Sequence, residues 1–124
     1  MTWRFTGSAP VYQQIMEQIR SAILSGTFQP GGRIPPVREF AAQAQVNPNT
    51  MQRALLELER EGLLIAQGSN GRFVTTDVQI LQTLRTQTVD DAVRAAAAQF
   101  RAMGIDLKEA AALLIKLEQE ESHG

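Results

Sequence analysis

The sequence predicts a mainly α-helical chain with one small β-hairpin. It divides into an N-terminal domain over residues 1–76 and a helical pair over residues 77–124. Three observations carry that reading. Apolar residues recur at i, i+3, i+4 and i+7 in successive segments. Glycine and proline fall between those segments or at their edges. Two short β-prone runs, residues 63–67 and 72–76, flank a Gly-Ser-Asn-Gly loop.

Residues 10–25, PVYQQIMEQIRSAILS, place Tyr12, Ile15, Met16, Ile19, Ala22 and Ile23 on one face of a first helix. Pro10 suits its first turn and Gly26 its end. TFQPGGRIPP, residues 27–36, reads as a connector. Pro30-Gly31-Gly32 is turn chemistry, and Pro35-Pro36 blocks a helix running through. A second, shorter helix starts near Pro36, with Val37, Phe40, Ala41 and Ala44 inward. Gln45-Val46-Asn47 is a three-residue break. The third helix runs from about Pro48 to Glu61, with Met51, Ala54, Leu55 and Leu58 inward, and Gly62 stops it. The hairpin follows, its loop spanning residues 68–71. Helix, short helix, tight turn, helix and hairpin is the order of a winged helix-turn-helix.

From Asp77 the pattern is helical again, as one long helix open to interruption near Thr86–Val89. Val89, Ala92 or Val93, Ala96 and Phe100 form its apolar stripe, and Gly104 ends it. Asp106 and Glu109 fit a capping box, the Asp serving the N3 amide and the Glu reaching back. The last helix, from 107 to about 121, aligns Leu107, Ala110, Ala111, Leu114 and Leu117. A segment this short does not close a core unaided. Its stripes need another surface, and a second copy of the chain is the economical one. Leu81, Leu84, Val93, Ala96, Phe100, Leu107, Ala111, Leu114 and Leu117 are the expected dimerisation residues.

Composition narrows the function. Hydrophobic residues make up 44% of the 124, enough for a buried core. No apolar run approaches the roughly 18–20 residues of a membrane span, and no signal pattern opens the chain. A soluble, cytoplasmic protein is the default expectation. Cysteine is absent and the one histidine, His123, lies in the tail. No thiolate site, His-based triad or metal cluster is expected. The net charge of −1 is unevenly spread. Residues 1–76 hold seven Arg and no Lys against five Glu, for +2. Residues 77–124 hold five cations against eight carboxylates, for −3. The positive half is all guanidinium, which suits bidentate contact with phosphate and guanine edges.

The third helix carries the sharpest functional signal. Asn47 fits its N-cap and Pro48 its first position, which is ordinary helix mechanics. With Met51, Ala54, Leu55 and Leu58 inward, Asn49, Thr50, Gln52 and Arg53 cluster outward on the first turns. In a helix-turn-helix these positions meet base edges in the major groove. Asn and Gln can pair bidentately with adenine, and Thr can touch bases or phosphate. The helix start also offers free amides to phosphate. Asn47 is a poorer reader than Asn49, because capping occupies its oxygen.

The chain resembles the GntR family of bacterial transcription regulators over roughly residues 10–75. The matching residues include Pro10-Val11-Tyr12-Gln13-Gln14-Ile15, Ile23-Leu24-Ser25-Gly26, Pro30-Gly31, Arg33-Ile34-Pro35 and Val37-Arg38-Glu39. They continue through Val46-Asn47-Pro48-Asn49-Thr50, Arg53-Ala54, Leu58-Glu59, Glu61-Gly62-Leu63 and Phe73-Val74. The VNPNT form and the two-helix tail look like the YtrA subfamily. The resemblance implies that Arg38 contacts DNA, together with Asn49, Thr50 and Gln52. It implies that Ser69, Asn70 and Gly71 form a wing tip near the minor groove or backbone. Pro48 and Gln52 stand where other branches carry arginine, so the operator does not follow by analogy. The wing is one residue longer than the usual pattern, and Arg72 replaces a threonine. Arg72 is read as an added phosphate contact.

Double-stranded DNA and a second copy of the chain are thus the expected partners, with no cofactor. The expected activity is transcriptional regulation, as a repressor on a palindromic operator. A winged-helix module that binds protein and not DNA is the alternative. An enzyme is excluded, since the family's aminotransferase-like branch needs a much longer chain and a cofactor lysine. The only lysines, Lys108 and Lys116, lie on the terminal helix. Residues 77–124 are too few for a large effector domain. Any small-molecule effector would bind between subunits or between the helical pair and the wings.

Overall fold

The computed structural model describes residues 1–123 and shows five helices and one antiparallel hairpin. The chain forms two compact units, Met1–Arg85 and the segment from Thr86 onward.

In the first unit, α1 (Val11–Leu24), α2 (Val37–Ala44) and α3 (Pro48–Arg60) enclose one core. The expected inward residues of all three helices meet there. Ile15, Ile19, Met51, Ala54, Leu55 and Leu58 are fully enclosed, and Phe40 and Ala41 nearly so. The helix ends explain why the turn is tight. Gln45 closes α2 at φ +57°, a left-handed backbone held by a non-glycine residue. Val46 N–H reaches back to Ala41 O at 3.0 Å. Two residues on, the Asn47 side chain accepts from Asn49 N–H at 2.7 Å and starts α3. Gly62, at φ +80°, ends α3 by a Schellman turn, with Leu63 N–H bonded to Leu58 O at 3.0 Å.

The hairpin pairs β1 (Leu64–Ala66) with β2 (Arg72–Val74) in the register Leu64↔Val74, Ile65↔Phe73, Ala66↔Arg72. A single 3₁₀ turn, Gly68–Asn70, joins them. The connector expected from the sequence contributes more than a turn. Arg33 forms a β-bridge with Phe73, with Ile34 N–H on Arg72 O at 3.0 Å and Val74 N–H on Gly32 O at 2.9 Å. β2 is therefore hydrogen-bonded along both edges, to β1 on one side and to the connector on the other.

The segment before α1 also joins this unit. Trp3 packs edge-on against Phe40, with ring centroids 5.3 Å apart. Gln14 and Gln18, one turn apart on α1, bind its backbone in the manner of a strand. Gln14 takes Thr6 N–H at 2.8 Å and returns its amide to Thr6 O, while Gln18 does the same with Arg4.

Helix α4 (Val78–Ala102) runs without the interruption expected near Thr86–Val89. Its residues there are Thr86, Gln87, Thr88 and Val89, none of which breaks a helix as Gly or Pro does. Asp77 caps it by accepting from Gln79 N–H at 2.9 Å. Leu84 is buried in the core of the first unit, and Ile80 and Leu81 pack at its edge.

In the second unit, α4 ends at a Schellman turn on Gly104, with Ile105 N–H bonded to Phe100 O at 2.9 Å. Asp106 caps α5 (Leu107–His123). Its carboxylate takes the N2 amide, Lys108 N–H at 2.9 Å, rather than the expected N3 amide. The short Asp side chain favours the nearer donor, and no returning bond from Glu109 occurs among the described residues. Ala110 is buried. No helix among the described residues is long and apolar enough to cross a membrane.

Candidate nucleic-acid interface

The outward face of α3 follows from its burial pattern. Asn49 and Arg53 are exposed, and Thr50 and Gln52 are half-buried beside them. The inner face is sealed by Met51, Ala54, Leu55 and Leu58, so rotation of the helix is fixed. Asn47 is exposed, but its carboxamide oxygen is engaged by Asn49 N–H. Arg38, in the first turn of α2, is exposed. Ser69 and Asn70 form the exposed wing turn, and Gly71 follows it at φ +103°.

Two predicted site residues are less free than expected. Arg72 is not a loose phosphate hook. Its Nε donates to the Glu59 carboxylate of α3, its Nη2 lies 3.4 Å from Gln52 Oε1, and its side chain is only 18% exposed. The reason is register: β1 packs on α3, and Arg72, paired with Ala66 of β1, turns its side chain to the helix rather than to solvent. Arg53 lies over the Tyr12 ring of α1, with Cζ 3.7 Å from the ring centroid. This cation–π contact orients the guanidinium while leaving it uncompensated by a carboxylate.

Arg33, outside the expected site residues, also lies against the wing. Its side chain covers Gly71 so closely that a Cβ there would stand 2.9 Å from Arg33 Nε. Arg33 and Arg72 line a cleft of about 290 Å³ with Pro35, Pro36, Gly68 and Gly71. The missing signal was the one-residue bridge of Arg33 to the hairpin, which is too short to show a strand period.

Pairing sorts the arginines of the first unit. Arg20 binds Glu61, Arg60 binds Glu57 at 2.8 Å, and Arg72 binds Glu59. Arg4, Arg33, Arg38, Arg53 and Arg85 form no ion pair among the described residues. Of these, Arg33 is bridged to the hairpin, Arg38 lies on α2 and Arg53 on α3.

The expected dimerisation residues divide. Leu84 is taken up by its own chain's core, and Leu81 lies partly buried at its edge. Ala96, Phe100 and Leu107 are half-buried, and Ala111 is exposed. Val93, Leu114 and Leu117 are exposed, as are Val89, Leu113 and Ile115, which the expected set lacked. No group of His, Cys, Asp or Glu among the described residues could hold a metal ion.

Three core-forming helices, an outward polar helix start and a stitched hairpin define a winged helix-turn-helix protein. Residues 11–74 match the family model described as bacterial regulatory proteins, gntR family. The HTH-type transcriptional repressor YtrA of Bacillus subtilis is 32% identical over 112 residues, 90% of this chain and 82% of that protein. A GntR family transcriptional regulator from Listeria monocytogenes superposes with a TM-score of 0.80 at 29% identity, covering 90% of this chain and 98% of that one. The DNA-binding domain of AraR, solved in complex with operator ORX1, matches with a TM-score of 0.56 at 31% identity. It covers 60% of this chain and 96% of that chain. The chain belongs to the GntR family and is YtrA-like, a transcriptional regulator and not an enzyme.

Proposed function

We propose that the chain is a homodimeric, sequence-specific repressor that binds a palindromic operator. The observation that carries this is the outward start of α3, where Asn49, Thr50, Gln52 and Arg53 surround a sealed apolar face. Such a start presents hydrogen-bonding side chains to major-groove edges. Arg38 and Arg33, free of carboxylates, supply phosphate contacts from α2 and the wing. The operator-bound AraR domain and the repressor name of YtrA support the same assignment. The dimer rests on the apolar side chains that α4 and α5 leave open, Val93 and Leu114 among them.

Gel retardation of the Arg38→Ala, Asn49→Ala double variant tests the reading. Retardation is expected to vanish while sizing still reports a dimer. Unchanged retardation would remove these residues from the interface. With about four phosphates neutralised per subunit, log K against log salt is expected to slope near −7 for the dimer. A flat slope would favour a protein-binding module.

A further inference from the structure

Arg72 and Glu59 form an ion pair between the wing and the recognition helix, and both side chains are largely withdrawn from solvent, at 18% and 23% exposure. Glu59 stands two turns beyond Gln52 on α3, so both present to the same flank of the helix. The second arm of the Arg72 guanidinium reaches Gln52, Nη2 to Oε1 at 3.4 Å. A guanidinium has donors only. Whichever carboxamide atom of Gln52 faces it must therefore be the oxygen.

We infer that Arg72 is a specificity-determining residue that acts through Gln52. Held by Glu59, it turns the Gln52 oxygen toward the wing and leaves the NH₂ group to read a base. This deepens the DNA-binding reading above and rests on it. A free Gln accepts from adenine N6 and donates to N7, which is the bidentate adenine contact. A Gln whose oxygen is turned toward the wing presents its NH₂ group to the groove, so it meets a base edge chiefly as a donor. It then favours edges that present acceptors alone, guanine through N7 and O6 or thymine through O4. Arg72 needs no DNA contact to exert this effect. The wing thus biases which base the helix reads, although the two lie on different elements.

Selection of bound sites from random duplex DNA, using the full chain, tests this. The Gln52→Ala variant identifies the half-site column that Gln52 reads, because that column flattens. In wild type the column is expected to be guanine or thymine. In Arg72→Met it is expected to move to adenine while other columns hold. Glu59→Ala provides a second route if Arg72→Met does not fold. It releases the guanidinium, so the same column moves to adenine. The salt slope steepens by about 2, as one more phosphate per subunit is neutralised. If the Arg72→Met column is unchanged and its slope falls by about 2, Arg72 is a phosphate contact and the inference is overturned. If wild type enriches a site and the column stays put in both variants, the inference falls and the DNA reading stands. If wild type enriches no site, both fall.

Discussion

At the residue scale, the turn between α2 and α3 shows how single side chains set the geometry of the interface. Asn47 and Pro48 were legible in the sequence as an N-cap and first-turn pair, and the 2.7 Å bond to Asn49 N–H is that cap. Such a cap contributes about 1 kcal/mol. Gln45 was legible only as part of a break. Its φ of +57° follows from closing α2 within one residue of Val46, a tertiary demand that no propensity announces. A left-handed non-glycine residue costs about 1–2 kcal/mol, and glycine gives back about 0.4–1 through the unfolded chain. The Gln45 side chain is exposed, so little is lost by removing it. Gln45→Gly is therefore expected to stabilise the protein by about 0.5–1 kcal/mol. A urea melt with an unchanged midpoint would show that the strain is relieved some other way.

At the element scale, the helices were legible because burial on one face imposes a 3.6-residue period. Every inward residue expected for α3 is enclosed. The wing was legible only in part. Its two strands announced themselves by flanking glycines, but the third edge did not. Arg33 bridges Phe73 through a single residue, and one residue has no period. The side-chain partnerships of Arg53 with Tyr12 and of Arg72 with Glu59 join residues distant in sequence, so they too were invisible. Gly71 connects these parts. It combines φ of +103° with the Arg33 side chain laid across its open face. Gly71→Ala is expected to cost about 1–3 kcal/mol through backbone strain. The new methyl would also push aside Arg33, whose far end is flexible. DNA affinity should fall by more than the stability loss explains, since the protein remains folded at working temperature. Equal affinity in a folded variant would show that Arg33 does not contribute to binding.

At the scale of the whole molecule, charge and apolar surface are partitioned. In the first unit Arg20, Arg60 and Arg72 spend their charge within the fold, while Arg4, Arg33, Arg38, Arg53 and Arg85 form no ion pair among the described residues. Net charge, at −1, therefore understates the unpaired positive charge of the first unit. The second unit carries the opposite imbalance and an apolar excess. Sequence period assigned one stripe to α5, through Leu114 and Leu117. Leu113, Leu114 and Ile115 are consecutive and all more than half exposed, so the open apolar surface is wider than one stripe. Three adjacent positions span about 200° of a helix, which suits a helix covered on two sides. The sequence could not reveal this, because a stripe is read by its spacing and the extra residues simply fall off the period. Leu114→Glu tests whether a second copy provides the cover. Leu114 is 58% exposed, so its removal from both subunits forfeits about 2–3 kcal/mol of burial, to which carboxylate desolvation adds. Dimer dissociation is expected to rise about a hundredfold or more. Retardation of a palindromic site should weaken with it, because one recognition helix alone engages one half-site. Sedimentation that shows an intact dimer at micromolar chain would place the subunit contact elsewhere than α5.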